Sequence, residues 1–148
     1  MFATLCGCMA DTRYLSFTSI EKEGWKRADT LSFCIPPLEG IEDKDIYLLL
    51  HTEGYKYENI AIGFSVSQDS NNLYNKQFHY LLGDYSSIKG LGHRCDYKLP
   101  TNKFGLCDTI PATITLVHKM EESILSGIHR VGILIEEPAK ISWNANWE

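Results

Sequence analysis

Five cysteines, at positions 6, 8, 34, 95 and 107, are the first residues of this sequence that could do chemistry. Their odd number fits neither a closed set of disulfides nor the paired Cys-x-x-Cys spacing of a zinc knuckle. Cys95 and Cys107 are separated by a turn-rich stretch, so an oxidising compartment would allow a disulfide that closes this loop. Cys34 is expected to be a buried or half-buried residue of a strand.

Cys8 stands apart from the other cysteines. It ends the run Leu5-Cys6-Gly7-Cys8, an aliphatic residue and two small residues before a cysteine. This run is similar to a bacterial lipobox, whose last cysteine receives diacylglycerol. Seven residues precede Cys8, whereas an export signal has a charged start and an apolar stretch of about 7–15 residues. Residues 1–13 are therefore interpreted as a truncated lipoprotein signal and tether, and the alternative is a chance pattern in a cytosolic domain.

The histidines form two weakly supported candidates for a metal or catalytic site. His118 and His129 flank a turn and could face each other in a hairpin, but a metal needs more than two ligands. His79 and His93 could form a dyad with Cys95, but a working dyad also needs an oriented third group. We predict core or hairpin-end histidines, no catalytic residue, no metal and no cofactor.

Aromatic residues make a stronger case for recognition. Exposed rings on a β-sheet protein can stack on sugars or anchor a protein partner. The candidate binding surface comprises Trp25, Tyr55, Tyr57 and Trp143. Trp25 could equally close the open end of a core.

Composition limits the remaining functions. The chain has 148 residues, 44% of them hydrophobic, which is enough for one domain with a core. A net charge of −5 without a basic stripe argues against nucleic-acid binding. The longest apolar runs, 46–50 and 131–135, are too short to cross a bilayer as helices.

Strand signals cover most of the chain. Runs of β-branched and aromatic residues alternate with Gly, Pro, Asn and Asp, a pattern typical of all-β folds. Strands are predicted at 14–18, 30–35, 46–51, 60–67, 73–81, 95–99, 112–120 and 128–136. About eight strands favour a two-sheet antiparallel β-sandwich, jelly-roll-like, over residues 14–138, followed by a C-terminal tail at 139–148.

Alternation within two of these runs predicts their core faces. One set is Leu31, Phe33 and Ile35. The other is Ile114, Leu116, His118 and Met120. Both sets should lie between the sheets.

The order of features over residues 8–136 is more informative than any single motif. Those features are Cys8, Gly24-Trp25-x-x-x-Asp29 before Leu31-Ser-Phe33, Tyr47-Leu-Leu-Leu50, Tyr55-x-Tyr57-x-Asn59, Gly90-Leu-Gly92 before Asp96-Tyr97, and the closing stretch from Gly127 to Glu136. In this order the chain resembles the GldH-type gliding-motility lipoproteins.

The resemblance implies a non-enzymatic lipoprotein held by its lipid in the cell envelope of a Gram-negative bacterium, facing the periplasm or the surface. Its implied partners are the membrane and other envelope proteins of the gliding or secretion apparatus. The alternative is a surface lipoprotein that binds carbohydrate through exposed Tyr and Trp residues. Pull-down from envelope membranes and glycan binding would separate the two.

Overall fold

The structure is a computed structural model that describes residues 12–85, 87–89 and 94–138. Eleven strands lie within this part of the chain, and two short 3-10 turns, Ile41–Asp43 and Leu82–Asp84, accompany them. The strands are β1 (Thr12–Ser19), β2 (Trp25–Lys26), β3 (Leu31–Ile35), β4 (Asp45–Glu53), β5 (Asn59–Gln68), β6 (Asn71–Leu81), β7 (Ser87–Lys89), β8 (Arg94–Pro100), β9 (Ala112–His118), β10 (Ile124–Leu125) and β11 (Ile128–Glu136).

Two antiparallel sheets form the body of the fold. The front sheet has the order β1-β11-β4-β8-β7, the back sheet has the order β3-β9-β5-β6, and β10 pairs with β2 in a small ribbon. The eight long strands pair first with last and so on inward: β1 with β11, β3 with β9, β4 with β8 and β5 with β6. This is the pairing of one long hairpin that has been folded over into two sheets. This is the jelly-roll arrangement, so the predicted fold class is confirmed.

The predicted strands agree with the structure. Each of the eight predicted runs overlaps one of the long strands. The strands missed were β2, β7 and β10, which are two or three residues long and too short to show a periodic signal.

The core lies between the two sheets and is built by strict alternation. Leu31, Phe33 and Ile35 are buried, as predicted, because β3 turns every second side chain inward. Residues 114, 116 and 118 of β9 are likewise buried. Met120 follows the end of β9 and is only half-buried, with its sulfur accepting a hydrogen bond from the Ala61 amide at 3.3 Å.

The two ends of the jelly roll differ in what they hold. At the terminal end, β1 begins and β11 ends, since Thr12 pairs with Glu136 and Glu136 with Asp45. The distal end is the opposite one, where β4 and β5 are joined by residues 54–58. The strands therefore extend lengthwise between the two ends, in alternating directions, and the sheet faces lie along the sides of the molecule.

Candidate functional site

The outer face of the front sheet is the surface that departs most from an ordinary solvated sheet. Strand register places Leu15 opposite Leu134, Leu134 opposite Tyr47, and Tyr47 opposite Pro100. This apolar row crosses four strands on the side away from the core. Leu15 is 44% exposed, and Tyr47 and Leu134 are half-buried.

A second row lies beside the first on the same face. Phe17 is opposite Gly132, Gly132 is opposite Leu49, and Leu49 is opposite Lys98. A Cβ on Gly132 would lie 2.6 Å from Cδ1 of Phe17 and 2.7 Å from the Ser16 carbonyl oxygen. Glycine is needed here for space, because it lets the Phe17 ring lie directly against β11.

A polar row flanks the aromatic ring of Phe17. The ring of His51 is tilted against it at a centroid distance of 4.7 Å, and the Arg130 guanidinium is 4.3 Å from the Phe17 ring centre. The Arg130 guanidinium donates to Nδ1 of His51 at 3.1 Å. Arginine is only a donor, so Nδ1 accepts and the His51 proton is on Nε2.

His51, the central residue of the polar row, has a lowered pKa. Burial lowers the pKa of His51, the Asp96 carboxylate opposes that effect, and the Arg130 guanidinium adds to it. His51 is therefore uncharged near neutral pH, between the cation of Arg130 and the anion of Asp96. We name the three rows together the front face: Leu15, Phe17, Tyr47, Leu49, His51, Asp96, Lys98, Pro100, Arg130, Gly132 and Leu134.

The front face carries residue types that are common at protein interfaces. It combines leucines, aromatic rings and an arginine, which are the residue types that protein interfaces use as anchors. A catalytic dyad needs a nucleophile beside an oriented base, and the imidazole here contacts a guanidinium and a phenyl ring instead. Among the residues described, no three His, Cys, Asp or Glu side chains are grouped so that they could hold a metal ion.

Trp25 was predicted as part of a binding surface, and the structure corrects this. Its side chain is 1% exposed, its indole N–H donates to the Asp29 carbonyl at 3.1 Å, and its ring meets His118 edge-on at 5.5 Å. Trp25 closes the distal end of the core, which was the alternative interpretation.

Tyr55 and Tyr57 do lie together, at the distal end, with ring centroids 5.7 Å apart. Both are half-buried against the core. The Tyr55 hydroxyl donates to the Asn59 carbonyl at 2.7 Å, and the Tyr57 hydroxyl donates to the Glu122 carboxylate. Both hydroxyls therefore have partners within the protein and hold the connection between β4 and β5 in place, and a binding role of the two rings stays a prediction.

The predicted Cys95–Cys107 disulfide is absent, and strand geometry explains why. Both residues are free thiols. Cys95 lies at the distal end of β8, opposite Thr52, whereas the Cys107 amide binds Gln68 at the terminal end of β5. Cys95 is five residues from Pro100, at the terminal end of β8, and five residues of extended chain span roughly 17 Å, which is far beyond disulfide reach.

The remaining predictions concern two cysteines, a pair of histidines and Trp143. Cys34 is exposed on the outer side of β3, so its predicted burial was wrong. His118 is fully buried whereas His129 is exposed, so these two histidines do not share one face. Cys8 and Trp143 lie outside the described residues and stay predictions.

The sequence contained a signal for the front face that alternation analysis did not use. Strands β4 and β11 are apolar in both phases, as the runs 46–50 and 131–135 show. Such continuous runs are typical of strands that are covered on both faces. Here the inward side chains build the core and the outward ones build the front face.

Comparison with known proteins identifies the family. A model of the GldH lipoprotein family matches residues 12–135, which include the eight long strands except for Glu136, the last residue of β11, and every residue of the front face. The chain belongs to the GldH lipoprotein family. Membership implies a lipid-anchored envelope protein, attached to its membrane through that lipid. Within the described residues, no helix is long and apolar enough to cross a membrane.

Solved structures resemble this GldH family member only weakly. A GH115-family 4-O-methyl-alpha-glucuronidase with specificity for decorated arabinogalactans is 12% identical, with a TM-score of 0.39, over 84% of this chain and 16% of the enzyme. Dimeric latent PorU from Porphyromonas gingivalis is 10% identical, with a TM-score of 0.29, over 86% of this chain and 13% of that chain.

A viral protein gives a third match. VP2 in the subviral particle of infectious bursal disease virus is 11% identical, with a TM-score of 0.34, over 86% of this chain and 31% of VP2. The GldH family chain thus spans less than a third of each of these structures, and none of them assigns it a function. No curated protein matches the sequence.

Proposed function

We propose that this GldH family member is a non-enzymatic, lipid-anchored envelope protein that binds other envelope proteins through its front face. The partners we propose are components of the gliding or associated secretion apparatus. The observation that carries the proposal is the pair of apolar rows on the outside of the front sheet.

The energetics favour a covered front face. Outward leucine and tyrosine side chains on central strands expose apolar surface whose removal from water releases about 25 cal/mol per Å². Contiguous apolar surface rimmed by polar groups marks interaction sites on soluble domains. The rim is present here, because Lys98 lies 4.4 Å from the Tyr47 ring centre and 2.7 Å from the Glu136 carboxylate.

The proposed anchor at Cys8 would set the direction of this face. Three residues lie between Cys8 and Thr12, the first residue of β1, and the four steps from one Cα to the next span at most about 14 Å. The terminal end is then held close to the bilayer, and the strands point away from it. The front face would be presented sideways, toward proteins in the same membrane.

The shifted titratable groups support a binding role over a catalytic one. His118 is enclosed in the core, where burial lowers its pKa. The hydrogen bond that the Glu122 carboxylate accepts from the Tyr57 hydroxyl lowers the pKa of Glu122 and ties two distal loops together. Each shift is accounted for by burial or by a structural contact.

A pair of matched substitutions tests the proposal. Leu134 and Val117 are both half-buried, outward-facing residues of central strands, on the front and back sheets respectively. Affinity capture from detergent-solubilised envelopes should recover gliding or secretion components with the wild type and with Val117→Asp. Recovery should be lost with Leu134→Asp, whose circular dichroism should stay that of the folded protein. Equal recovery by Leu134→Asp and the wild type would overturn the proposal.

A further inference from the structure

Strand β6 has the longest open edge in the described part of the fold. The back sheet ends at β6, which pairs with β5 on one side only. It is 11 residues long, against 8 in β1, 5 in β3 and 3 in β7, the other edge strands. One side of its backbone therefore presents a row of hydrogen-bonding groups for another strand.

This edge has little of the protection that edge strands usually carry. Proteins block such edges with prolines, charges and bulges. β6 has no proline, Lys76 is its one Lys, Arg, Asp or Glu residue, and its bulge lies near one end, at Leu73. Leu73 and Leu81, near its two ends, are 44% and 59% exposed. They are two of the four exposed large hydrophobic residues of the described chain.

We propose that the β6 edge binds a second copy of this chain, with the two β6 strands antiparallel about a two-fold axis at Gln77. In this register Leu73 lies opposite Leu81 of the second copy, and Gln77 lies opposite its own counterpart. Both leucines of each copy are then paired, because an interface with two-fold symmetry repeats every contact.

The faces of the strand agree with this register. Gln77 pairs with Gly63 and Leu81 pairs with Asn59, so both side chains belong to the outer face of the back sheet. Antiparallel partners share a face, which means that the paired leucines and glutamines would lie together on that outer face. Leu73 is the extra residue of a bulge between Asn72 and Tyr74 and has no partner on β5, so the regular edge runs from Tyr74 to Leu81 and Leu73 directly adjoins it.

The single charge on β6 is compatible with this register. Lys76 lies on the opposite side of β6 from Gln77, in register with Phe64 of β5. With the axis at Gln77, each Lys76 faces Phe78 of the other copy. An axis at Lys76 would place two ammonium groups directly opposite, which destabilises a strand pair.

The dimer would convert the four-stranded back sheet into a continuous eight-stranded sheet. It leaves the front face open, because that face belongs to the other sheet. Self-association through β6 and partner binding through the front face are therefore independent, and either can fail without the other.

A charge exchange at Gln77 tests the dimer. The full chain would carry Cys8→Ser, so that no lipid contributes to association, and a reducing agent would exclude disulfides. Sedimentation equilibrium should show a dimer for this protein and for Ser65→Lys, a control on the outer face of β5 one strand from the edge. Gln77→Lys and Gln77→Glu should each be monomeric, because like charges would oppose each other on the axis.

Mixing the two variants gives the decisive outcome. Gln77→Lys and Gln77→Glu should form a heterodimer, since the axis then joins opposite charges. A monomeric parent protein, or a Gln77→Lys variant that stays dimeric, would overturn the proposal. Neither result bears on the affinity capture with the Leu134→Asp variant. A failure of the dimer proposal can therefore be distinguished from a failure of the proposed function.

Discussion

The two outer faces of the jelly roll have opposite chemistry although they are built by the same alternation. On the back sheet, Ser32 is opposite Thr115, Thr115 is opposite Ser65, and Ser65 is opposite Asn75, a row of hydroxyl and amide groups. The equivalent row of the front sheet is Leu15, Leu134, Tyr47 and Pro100. Small polar groups stay hydrated at little cost, whereas leucine and tyrosine favour a partner. This difference between the central parts of the two faces is the reason why the front face, and not the back one, is proposed to bind partner proteins.

The largest expected difference between the faces is in partner binding. Leu134→Asp places a charge within the apolar rows, and a hot-spot residue of this kind contributes about 2–4 kcal/mol, or roughly 30- to 1,000-fold in affinity. Val117→Asp on the back sheet should change the affinity by less than about threefold. Titration of a captured partner against each variant measures both. Similar losses for the two variants would abolish the distinction between the faces.

Replacing the two outward glycines, Gly132 and Gly63, should change the stability of the protein by different amounts. A Cβ at Gly132 meets the Phe17 ring and the Ser16 backbone, which cannot easily move, so Gly132→Ala should lower the free energy of unfolding by about 2 kcal/mol. A Cβ at Gly63 meets the side chains of Lys119 and Val117, of which the nearer, Lys119, is flexible. Gly63→Ala should therefore cost less than about 0.5 kcal/mol. Urea unfolding of both variants checks the contrast, and equal destabilisation would contradict the packing of Phe17 against β11.

The different surroundings of these two glycines could not be predicted from the sequence alone. The alternation of Leu31, Phe33 and Ile35 and the proline after them predicted a strand and its core face correctly, because both signals are local. The place of Phe17 over Gly132 depends on pairing between residues more than a hundred positions apart. No local pattern encodes such a contact.

The candidate site was predicted less well for the same reason. Trp25 reads as exposed or buried equally well until the β2–β10 ribbon and β9 enclose it. Tyr57 was predicted to belong to an exposed binding surface, but it is half-buried and its hydroxyl binds Glu122, 65 residues further along the chain. The fold class survived because many local strand signals add up, whereas a site depends on a few long-range contacts.

The pH dependence of stability should come more from His118, in the core, than from His51, on the front face. Burial lowers the pKa of His118 below its ordinary value of 6.5, so the native state keeps it neutral while the unfolded chain takes up a proton. The free energy of unfolding should therefore fall as the pH drops below about 6.5, toward the lower pKa of the native state.

Matched variants assign this pH effect. His118→Gln should flatten the fall between pH 7.5 and pH 5, because glutamine does not titrate. His51→Gln should flatten it less, since His51 is only half-buried and the Asp96 carboxylate opposes the effect of burial. Urea unfolding at the two pH values is the measurement. A wild-type slope that persists in His118→Gln would rule out this residue as its source.

The smallest expected effect concerns the rim of the front face. Lys98 contacts the Tyr47 ring and the Glu136 carboxylate, but its side chain is 47% exposed. Lys98→Ala should lower the free energy of unfolding by only about 0.5 kcal/mol, and less at high salt. Lys119→Ala, on the back sheet, should have no measurable effect. Thermal unfolding at low and high salt would resolve the two, and a salt-independent loss would contradict the assigned contacts.

Site-specific photocrosslinking in cells tests the central claim most directly. A photoreactive amino acid would replace Leu49 on the front face or Thr115 on the back sheet, two half-buried outward positions on central strands. The account predicts adducts with other envelope proteins from position 49 and none, or far fewer, from position 115. Adducts from position 115 with none from position 49 would contradict it.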